Sequence, residues 1–166
     1  QPSSEAAEFG SRVHDILERC AAAKVPPSDE TKEGQVASYL WKAFSEYLPE
    51  WYNASPTIED AWKSATAYDL PARGRSDLVF ADRSMVVDWK TTSNLRYALT
   101  PEDAASDPQV LMYIRAYVES ENISLPATFV HVYATTRTKT PRTRVVETKV
   151  DEAVLQKGEV FLHRTI

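Results

Sequence analysis

The chain has 166 residues, a formal net charge of −5, 43% hydrophobic and 26% charged residues, values that fit one globular domain and exclude a disordered chain. An acidic chain does not coat nucleic acid by bulk electrostatics, although a local basic groove is compatible with this charge. Cys20 is the single cysteine, which fits a reducing, cytoplasmic setting and excludes an internal disulfide, a four-cysteine zinc site and a cysteine-ligated iron–sulfur cluster within this chain.

The first predicted helix begins at Ser3 or Ser4, which can act as the N-cap, and runs to about Ala23. A glycine inside a helix costs about 1 kcal/mol relative to alanine, so Gly10 indicates close approach by another element. His14 lies one turn further, at the edge of the apolar stripe. It is either a metal ligand or substrate contact, or a boundary histidine bonded to its neighbours. The buried stripe is predicted to consist of Phe9, Val13, Ile16, Leu17 and Cys20.

A loop with two consecutive prolines separates this helix from a second one, predicted from about Glu33 to Leu48. A first strand is predicted over Thr57–Lys63, and it carries Glu59, which is either an outer metal ligand or a surface carboxylate. The core stripe of the second helix is predicted to be Val36, Leu40, Trp41, Phe44, Tyr47 and Leu48.

Residues 75–92 predict a β-hairpin, because two apolar runs, LVF and MVVDW, flank the polar turn sequence ADRS. If the turn is centred on Asp82 and Arg83, residues whose numbers sum to 165 pair, and Asp77 faces Asp88. Cβ atoms of such pairs are roughly 4.5–5.5 Å apart, where like charges are destabilising. The two carboxylates therefore need a cation, a shared proton or a slipped register, and a slip of one residue would break the pairing.

Strand alternation places Asp77, Asp88 and Lys90 on one face of this hairpin. Carboxylate oxygens suit magnesium or manganese, and a nearby lysine can orient or deprotonate a water molecule. The alternative is a solvated face with a local ion pair of Asp88 and Lys90, and spacing alone leaves both open. The opposite, apolar face is predicted to carry Leu78, Phe80, Val87 and Trp89.

The polar segment Thr91–Asp107, which contains two prolines, predicts a loop with little regular structure. Asp107 and Pro108 then provide an N-cap and a first helical position for a helix to about Glu119. Gln109 and Tyr113 lie one turn apart beside its buried stripe. They either reach towards the charged face of the hairpin or lie at the surface.

Two strands are predicted near the end of the chain, at Pro126–Thr135 and Thr143–Val150. The basic connector RTKTPRTR between them either touches phosphates or is a solvated loop. Asp151 can cap a last helix that runs through Leu162 and is interrupted at Gly158.

Four separated motifs share their order and spacing with one nuclease family. They are Gly10-x-x-x-His14-x-x-x-Glu18, Gly74-x-x-Asp77, Asp88-x-Lys90-Thr91 and Gln109-x-x-x-Tyr113. Through them the chain, over about residues 9–117, resembles the RecB-like branch of the PD-(D/E)XK nuclease superfamily. That branch includes stand-alone phage and CRISPR-associated exonucleases and the nuclease domains of recombination helicases.

The resemblance implies an α/β fold with a restriction-endonuclease-like core, in which a mixed central β-sheet is flanked by α-helices and residues 1–166 form one nuclease domain. It also implies a DNA nuclease dependent on Mg²⁺ or Mn²⁺. In-line attack in this family leaves a 5′-phosphate and a 3′-hydroxyl, and an exonuclease is expected, in recombination, repair or phage DNA processing. The other classes left open are a catalytically silent module that binds DNA or a partner protein, and a metal-stabilised fold without a substrate.

The family's functional residues map onto this chain motif by motif. Its metal ligands correspond to His14, Asp77, Asp88 and the backbone carbonyl of Trp89. Lys90 would position or activate the attacking water, so that Asp77, Asp88 and Lys90 are the expected catalytic residues. Substrate contact or orientation of the site is expected from Gln109, Tyr113, Arg75 and Thr91.

The chain also departs from the family pattern. Ser76 replaces the proline of the name motif, and the four-cysteine iron–sulfur cluster of many relatives has no ligand set here. DNA binding would depend on a local, salt-sensitive path, with Arg73, Arg75, Arg96 and residues 137–144 as candidates. Expected partners are DNA and a helicase, annealing protein or CRISPR-type protein. No membrane association is expected, because no apolar run approaches the roughly 18 residues of a membrane span.

Overall fold

The computed structural model describes residues 4–64 and 72–165, without the side chains of residues 59–64, 72–74 and 160–165. Contacts group the chain into two compact units. The first comprises residues up to Ile58, Trp89–Ala98 and His131–Val145, and the second Glu59–Asp88, Leu99–Val130 and residues from Val146 onward. None of the helices within the described ranges is both long and apolar enough to cross a membrane. In chain order the elements are α1 (Ser4–Ala23), α2 (Lys32–Tyr47), β1 (Thr57–Ser64), β2 (Ala72–Phe80), β3 (Met85–Thr92), α3 (Pro101–Ala104), α4 (Pro108–Glu119), β4 (Ala127–Thr135), β5 (Thr143–Val150) and α5 (Glu152–Thr165).

The five strands form one sheet in the order β1-β2-β3-β4-β5. β2 and β3 are antiparallel, and Leu78 pairs with Val87, which confirms the predicted register. The N–H of Thr128 donates to the carbonyl of Ser84, and the N–H of Thr136 donates to the carbonyl of Thr92, both at 2.9 Å. Both bonds join residues the same number of positions apart, so β3 and β4 run parallel. The predicted mixed sheet of an α/β fold, flanked by helices, is confirmed.

In the first unit, α1 packs against α2. Thr31 caps α2 by accepting a 3.0 Å hydrogen bond from the N–H of Gly34. The predicted stripe of α1 is confirmed at its centre, whereas Phe9 and Cys20 are only half-buried and Ala21 is buried instead. The buried residues of α1 are Val13, Ile16, Leu17 and Ala21.

An aromatic cluster in the first unit surrounds Trp89 of β3. The ring of Phe44 meets it edge-on at a centroid distance of 5.5 Å, and that of Trp51 lies 6.0 Å away. Trp41 in turn packs on Trp51 at 4.6 Å. Large aromatic rings dominate core energetics, so this cluster fixes the middle of β3, between Asp88 and Lys90.

In the second unit, α4 packs against β2 and α5. α5 runs unbroken through Gly158, so the predicted interruption is wrong. A Cβ at Gly158 would lie only 2.3 Å from Cδ1 of Leu111 on α4. The glycine allows α4 and α5 to approach closely, and a glycine inside a helix, the signal that predicted close approach at Gly10, could have predicted it here.

The segment after β3 contains more regular structure than predicted. A 3₁₀ turn covers Leu95–Tyr97, and the short helix α3 follows. Thr100 caps α3 by accepting from the N–H of Asp103 at 3.1 Å, with Pro101 in the first turn. A threonine cap followed by proline and acidic residues is a local signal that could have predicted this turn.

Candidate active site

Two carboxylates lie on neighbouring strands of the second unit. When the register of β2 and β3 is continued by one residue, Asp77 stands opposite Asp88. Each residue is only 6% exposed. This face is therefore not solvated, since Val79 and Val86, which share it, are buried in the core of the second unit. The ion pair of Asp88 and Lys90 stays a prediction. Both faces of the hairpin are covered, and the two aspartates are buried.

Burial makes the charge of this pair costly. Two ionised carboxylates at facing positions repel each other, and removal from water raises the cost of each charge. The arrangement thus favours a bound cation or a shared proton. Hard oxygen donors of this type fit Mg²⁺ or Mn²⁺. Ser76, the residue before Asp77, is fully buried, and its hydroxyl has no hydrogen-bond partner among the described residues.

A short hydrogen-bond chain joins α4 to the strand that carries Asp77. The side-chain amide of Gln109 donates to the hydroxyl of Tyr113 at 3.2 Å, and that hydroxyl donates to the backbone carbonyl of Arg75 at 3.0 Å. Tyr113 is buried and its ring lies 5.9 Å from that of Phe129. Gln109 and Tyr113 therefore reach towards the hairpin and do not simply lie at the surface. The side chain of Arg75 is exposed.

In the first unit, α1 comes close to the end of β3. A Cβ at Gly10 would lie 3.2 Å from Oγ1 of Thr91, which confirms the predicted close approach. His14 is half-buried and one helical turn from Gly10, and residues four apart in a helix lie on the same side. The side of α1 that meets Thr91 is thus the side that carries His14. Lys90, half-buried, precedes Thr91 on the same strand.

The three-ligand metal site remains a prediction. No group of three or more His, Cys, Asp or Glu side chains within residues 4–64 and 72–165 is placed to hold a metal ion. The described part of the chain does bring together Asp77 with Asp88, and Gln109 and Tyr113 with the backbone of Arg75. Glu59 lies outside the described side chains.

The four motifs and the hairpin geometry coincide with a family match. The family model of the PD-(D/E)XK nuclease superfamily matches residues 1–161. The chain therefore belongs to the PD-(D/E)XK nuclease superfamily. A search of curated proteins found no match.

One solved structure supports this fold. A Eubacterium rectale protein named "Putative exonuclease" superposes with a TM-score of 0.63 and 14% identity, over 99% of this chain and 65% of that one. The present chain thus spans about two thirds of the length of that protein. A protein named SSO0001 gives a TM-score of 0.39 at 14% identity, over 89% of this chain and 85% of the other, which is too low for any argument.

Proposed function

We propose that this chain is a DNA nuclease dependent on Mg²⁺ or Mn²⁺, of the RecB-like branch, which acts as an exonuclease and leaves 5′-phosphate ends. The observation that carries the proposal is the buried pair of Asp77 and Asp88 on adjacent strands of a nuclease-superfamily hairpin. A buried pair of like charges is expensive to maintain, and a bound cation would offset that cost.

Asp77 and Asp88 would hold the metal ion, with His14 and the backbone carbonyl of Trp89 as further ligands. The aromatic contacts of Trp89 support this role for its carbonyl, because they fix the backbone between Asp88 and Lys90. A bound Mg²⁺ or Mn²⁺ would polarise a phosphoryl oxygen and offset the charge that develops there.

Lys90 would orient or deprotonate the water that attacks phosphorus. The water oxygen forms a bond to phosphorus while the bond from phosphorus to the 3′-oxygen breaks. The departing oxygen takes up a proton to become a 3′-hydroxyl, and the phosphate remains on the 5′ side of the next nucleotide. Strand alternation supports this role, because it places Lys90 on the face of β3 that carries Asp88.

The remaining residues would position or bind the substrate. The Gln109–Tyr113 chain would hold β2 in place through the carbonyl of Arg75, while the exposed guanidinium of Arg75 would contact a phosphate. Thr91 lies against α1 at Gly10 and would order the end of β3. Such an enzyme would act in recombination, repair or phage DNA processing, with a helicase, annealing protein or CRISPR-type protein as partner.

The test is cleavage of end-labelled linear and circular DNA with Mn²⁺ and with EDTA, beside the isosteric variant Asp88→Asn. An exonuclease degrades linear but not circular DNA, only with the cation, and the variant is inactive. Cutting of circles would instead identify an endonuclease. Binding of DNA without cleavage by the parent would favour the catalytically silent module and overturn the proposal.

A further inference from the structure

Two short segments of this chain contain basic residues but no acidic ones. Residues 89–98 and 131–145 contain six of the 19 Lys and Arg residues and none of the 24 Asp and Glu residues. Both segments belong to the first unit. Although the whole chain is acidic, these two segments carry only positive charges, and a basic region of this kind attracts a polyanion. Its cations are Lys90, Arg96, Arg137, Lys139, Arg142 and Arg144.

The fold brings these two segments side by side. β3 and β4 are parallel, so their carboxyl ends meet at one edge of the sheet, where the N–H of Thr136 donates to the carbonyl of Thr92. Beyond that bond, the guanidinium of Arg144 donates to the carbonyl of Leu95 at 3.2 Å. The start of β5, which carries Arg144, therefore lies next to the 3₁₀ turn that follows the strand of Lys90. Lys32 secures the β4–β5 loop, by a 3.0 Å bond to the carbonyl of Thr138.

The 3₁₀ turn presents an exposed aromatic ring. Tyr97 is 60% exposed, which is high for a large hydrophobic side chain. The turn is ordered by Asn94, whose side chain accepts from the N–H of Arg96 at 2.9 Å. The guanidinium of Arg96 lies 4.9 Å from the centre of the Tyr97 ring and donates to its hydroxyl at 2.8 Å. An arginine on an aromatic ring, with the ring largely open to solvent, combines a cation and a stacking surface.

Arg96, Arg144 and the cations of the β4–β5 loop form no ion pair within the described residues. Arg96 bonds to a hydroxyl and Arg144 to a carbonyl, so both keep their charge. Among the described residues, no Asp or Glu forms an ion pair with Arg137, Lys139 or Arg142. Phosphates that pass along the loop would therefore meet full positive charges.

We propose that Tyr97, Arg96 and the basic segment of residues 137–144 form a binding path for single-stranded DNA, which we call the Tyr97 platform. A base stacks on the exposed face of Tyr97, and the neighbouring phosphates contact the basic side chains. Bases within a duplex are already stacked on each other, so the ring selects single strands. This inference rests on the proposed nuclease function and deepens it, because the platform follows directly after Lys90 and Thr91 in the chain.

The experiment measures binding without cleavage. The full chain carrying Asp88→Asn is titrated against a fluorescein-labelled 12-nucleotide single strand of mixed sequence and against the corresponding duplex, with fluorescence anisotropy as the readout. Adding Tyr97→Ala should weaken single-strand binding roughly 5- to 150-fold, the range for the loss of one stacked base, and change duplex binding less than about two-fold. Tyr97→Phe keeps the ring and should bind within about three-fold of the parent.

Charge variants test the phosphate interactions separately. Combining Arg137→Gln with Arg142→Gln should reduce the slope of log K against log salt by about 0.7 for each phosphate of a single strand that the variant no longer neutralises. Lys157→Gln, an exposed charge on α5, is the matched control and should change affinity less than about two-fold. Tyr97 is exposed, so its alanine variant should melt at the temperature of the parent.

Unchanged single-strand affinity of Tyr97→Ala, or an equal loss for single strand and duplex, would overturn the platform. If the parent cleaves linear DNA but Tyr97→Ala has no effect on binding, this inference alone fails. If Tyr97-dependent binding is found but the parent cleaves no DNA, the nuclease proposal fails while the platform stands.

Discussion

The hydroxyl of Tyr113 donates a hydrogen bond to the backbone carbonyl of Arg75, two residues before Asp77 on β2. This bond ties the middle of α4 to the strand that carries one of the paired carboxylates. A second bond, from Gln109 to the same hydroxyl, orients the phenol. The helix α4 thus supports β2 from the side, through Tyr113 directly and through Gln109 by way of the Tyr113 hydroxyl.

Tyr113→Phe should reveal this support. The variant keeps the packing of the ring on Phe129 but loses the hydroxyl, so the free energy of unfolding should fall by about 0.5–1.5 kcal/mol in urea titrations. The cleavage rate should fall by up to about a hundred-fold if β2 shifts by as much as roughly 1 Å. Tyr39→Phe on α2, whose hydroxyl forms no hydrogen bond within the described residues, is the control for stability. An unchanged urea midpoint together with an unchanged rate would show that the bond to Arg75 does not position the site.

Asp77→Asn should separate metal binding from folding. Without metal, the variant should be at least as stable as the parent, because it removes one of two facing buried charges. With Mn²⁺ at about 100 times its dissociation constant, the parent should gain about 2.7 kcal/mol of stability and the variant should not. Melting curves with EDTA and with Mn²⁺ measure both effects, with Asp82→Asn in the exposed turn as the control. A strongly destabilised metal-free variant would contradict the facing-carboxylate geometry.

Lys90→Ala should keep metal binding and lose turnover. Lysine is not a ligand in the proposed site, so the affinity for Mn²⁺ measured by calorimetry should stay within a few-fold of the parent. Loss of a group that orients or deprotonates water should lower the cleavage rate by about 10²–10⁴. Lys157→Ala on α5 provides the control. Near-normal turnover of Lys90→Ala would remove this residue from the catalytic role.

Gly158→Ala should destabilise the protein although alanine is the better helix former. The added methyl group would meet Leu111, and overpacking in a well-packed core typically costs about 1–3 kcal/mol. Lys157→Ala, at the neighbouring exposed position, should change the free energy of unfolding by no more than about 0.5 kcal/mol. Urea titration measures both. A stabilised Gly158→Ala variant would mean that α4 and α5 are not held this closely.

The features that were predictable from sequence are those determined by nearby residues. The hairpin register depends on two apolar runs and a short turn, and the start of α4 depends on Asp107 and Pro108. The structure confirms both predictions. Close packing at Gly10 was also predictable, since glycine within a helix is costly without a reason. Its partner, Thr91, was not predictable, because nothing local to α1 specifies which strand will meet it.

Features that depend on distant residues were less predictable. Val79 and Val86, beside the aspartates, are buried by packing in the second unit. The hairpin face that carries Asp77 and Asp88 was expected to be polar, but this packing encloses it. The 3₁₀ turn that exposes Tyr97 is ordered by Asn94 and lies against Arg144, far along the sequence. Even there, part of the signal was present, since the acid-free composition of both segments can be read from the sequence.

In the proposed function, Asp77 and Asp88 form a metal-dependent phosphodiester-cleaving site. The most direct measurement is the initial rate of nucleotide release from linear DNA across a Mn²⁺ titration, for the parent and for Asp88→Asn. We expect no release in EDTA, a saturable rise with Mn²⁺ for the parent, and a rate lower by about 10³ or more for the folded variant, because a charged ligand is removed. Release by the parent in EDTA, or a variant rate within about three-fold of the parent, would contradict the account.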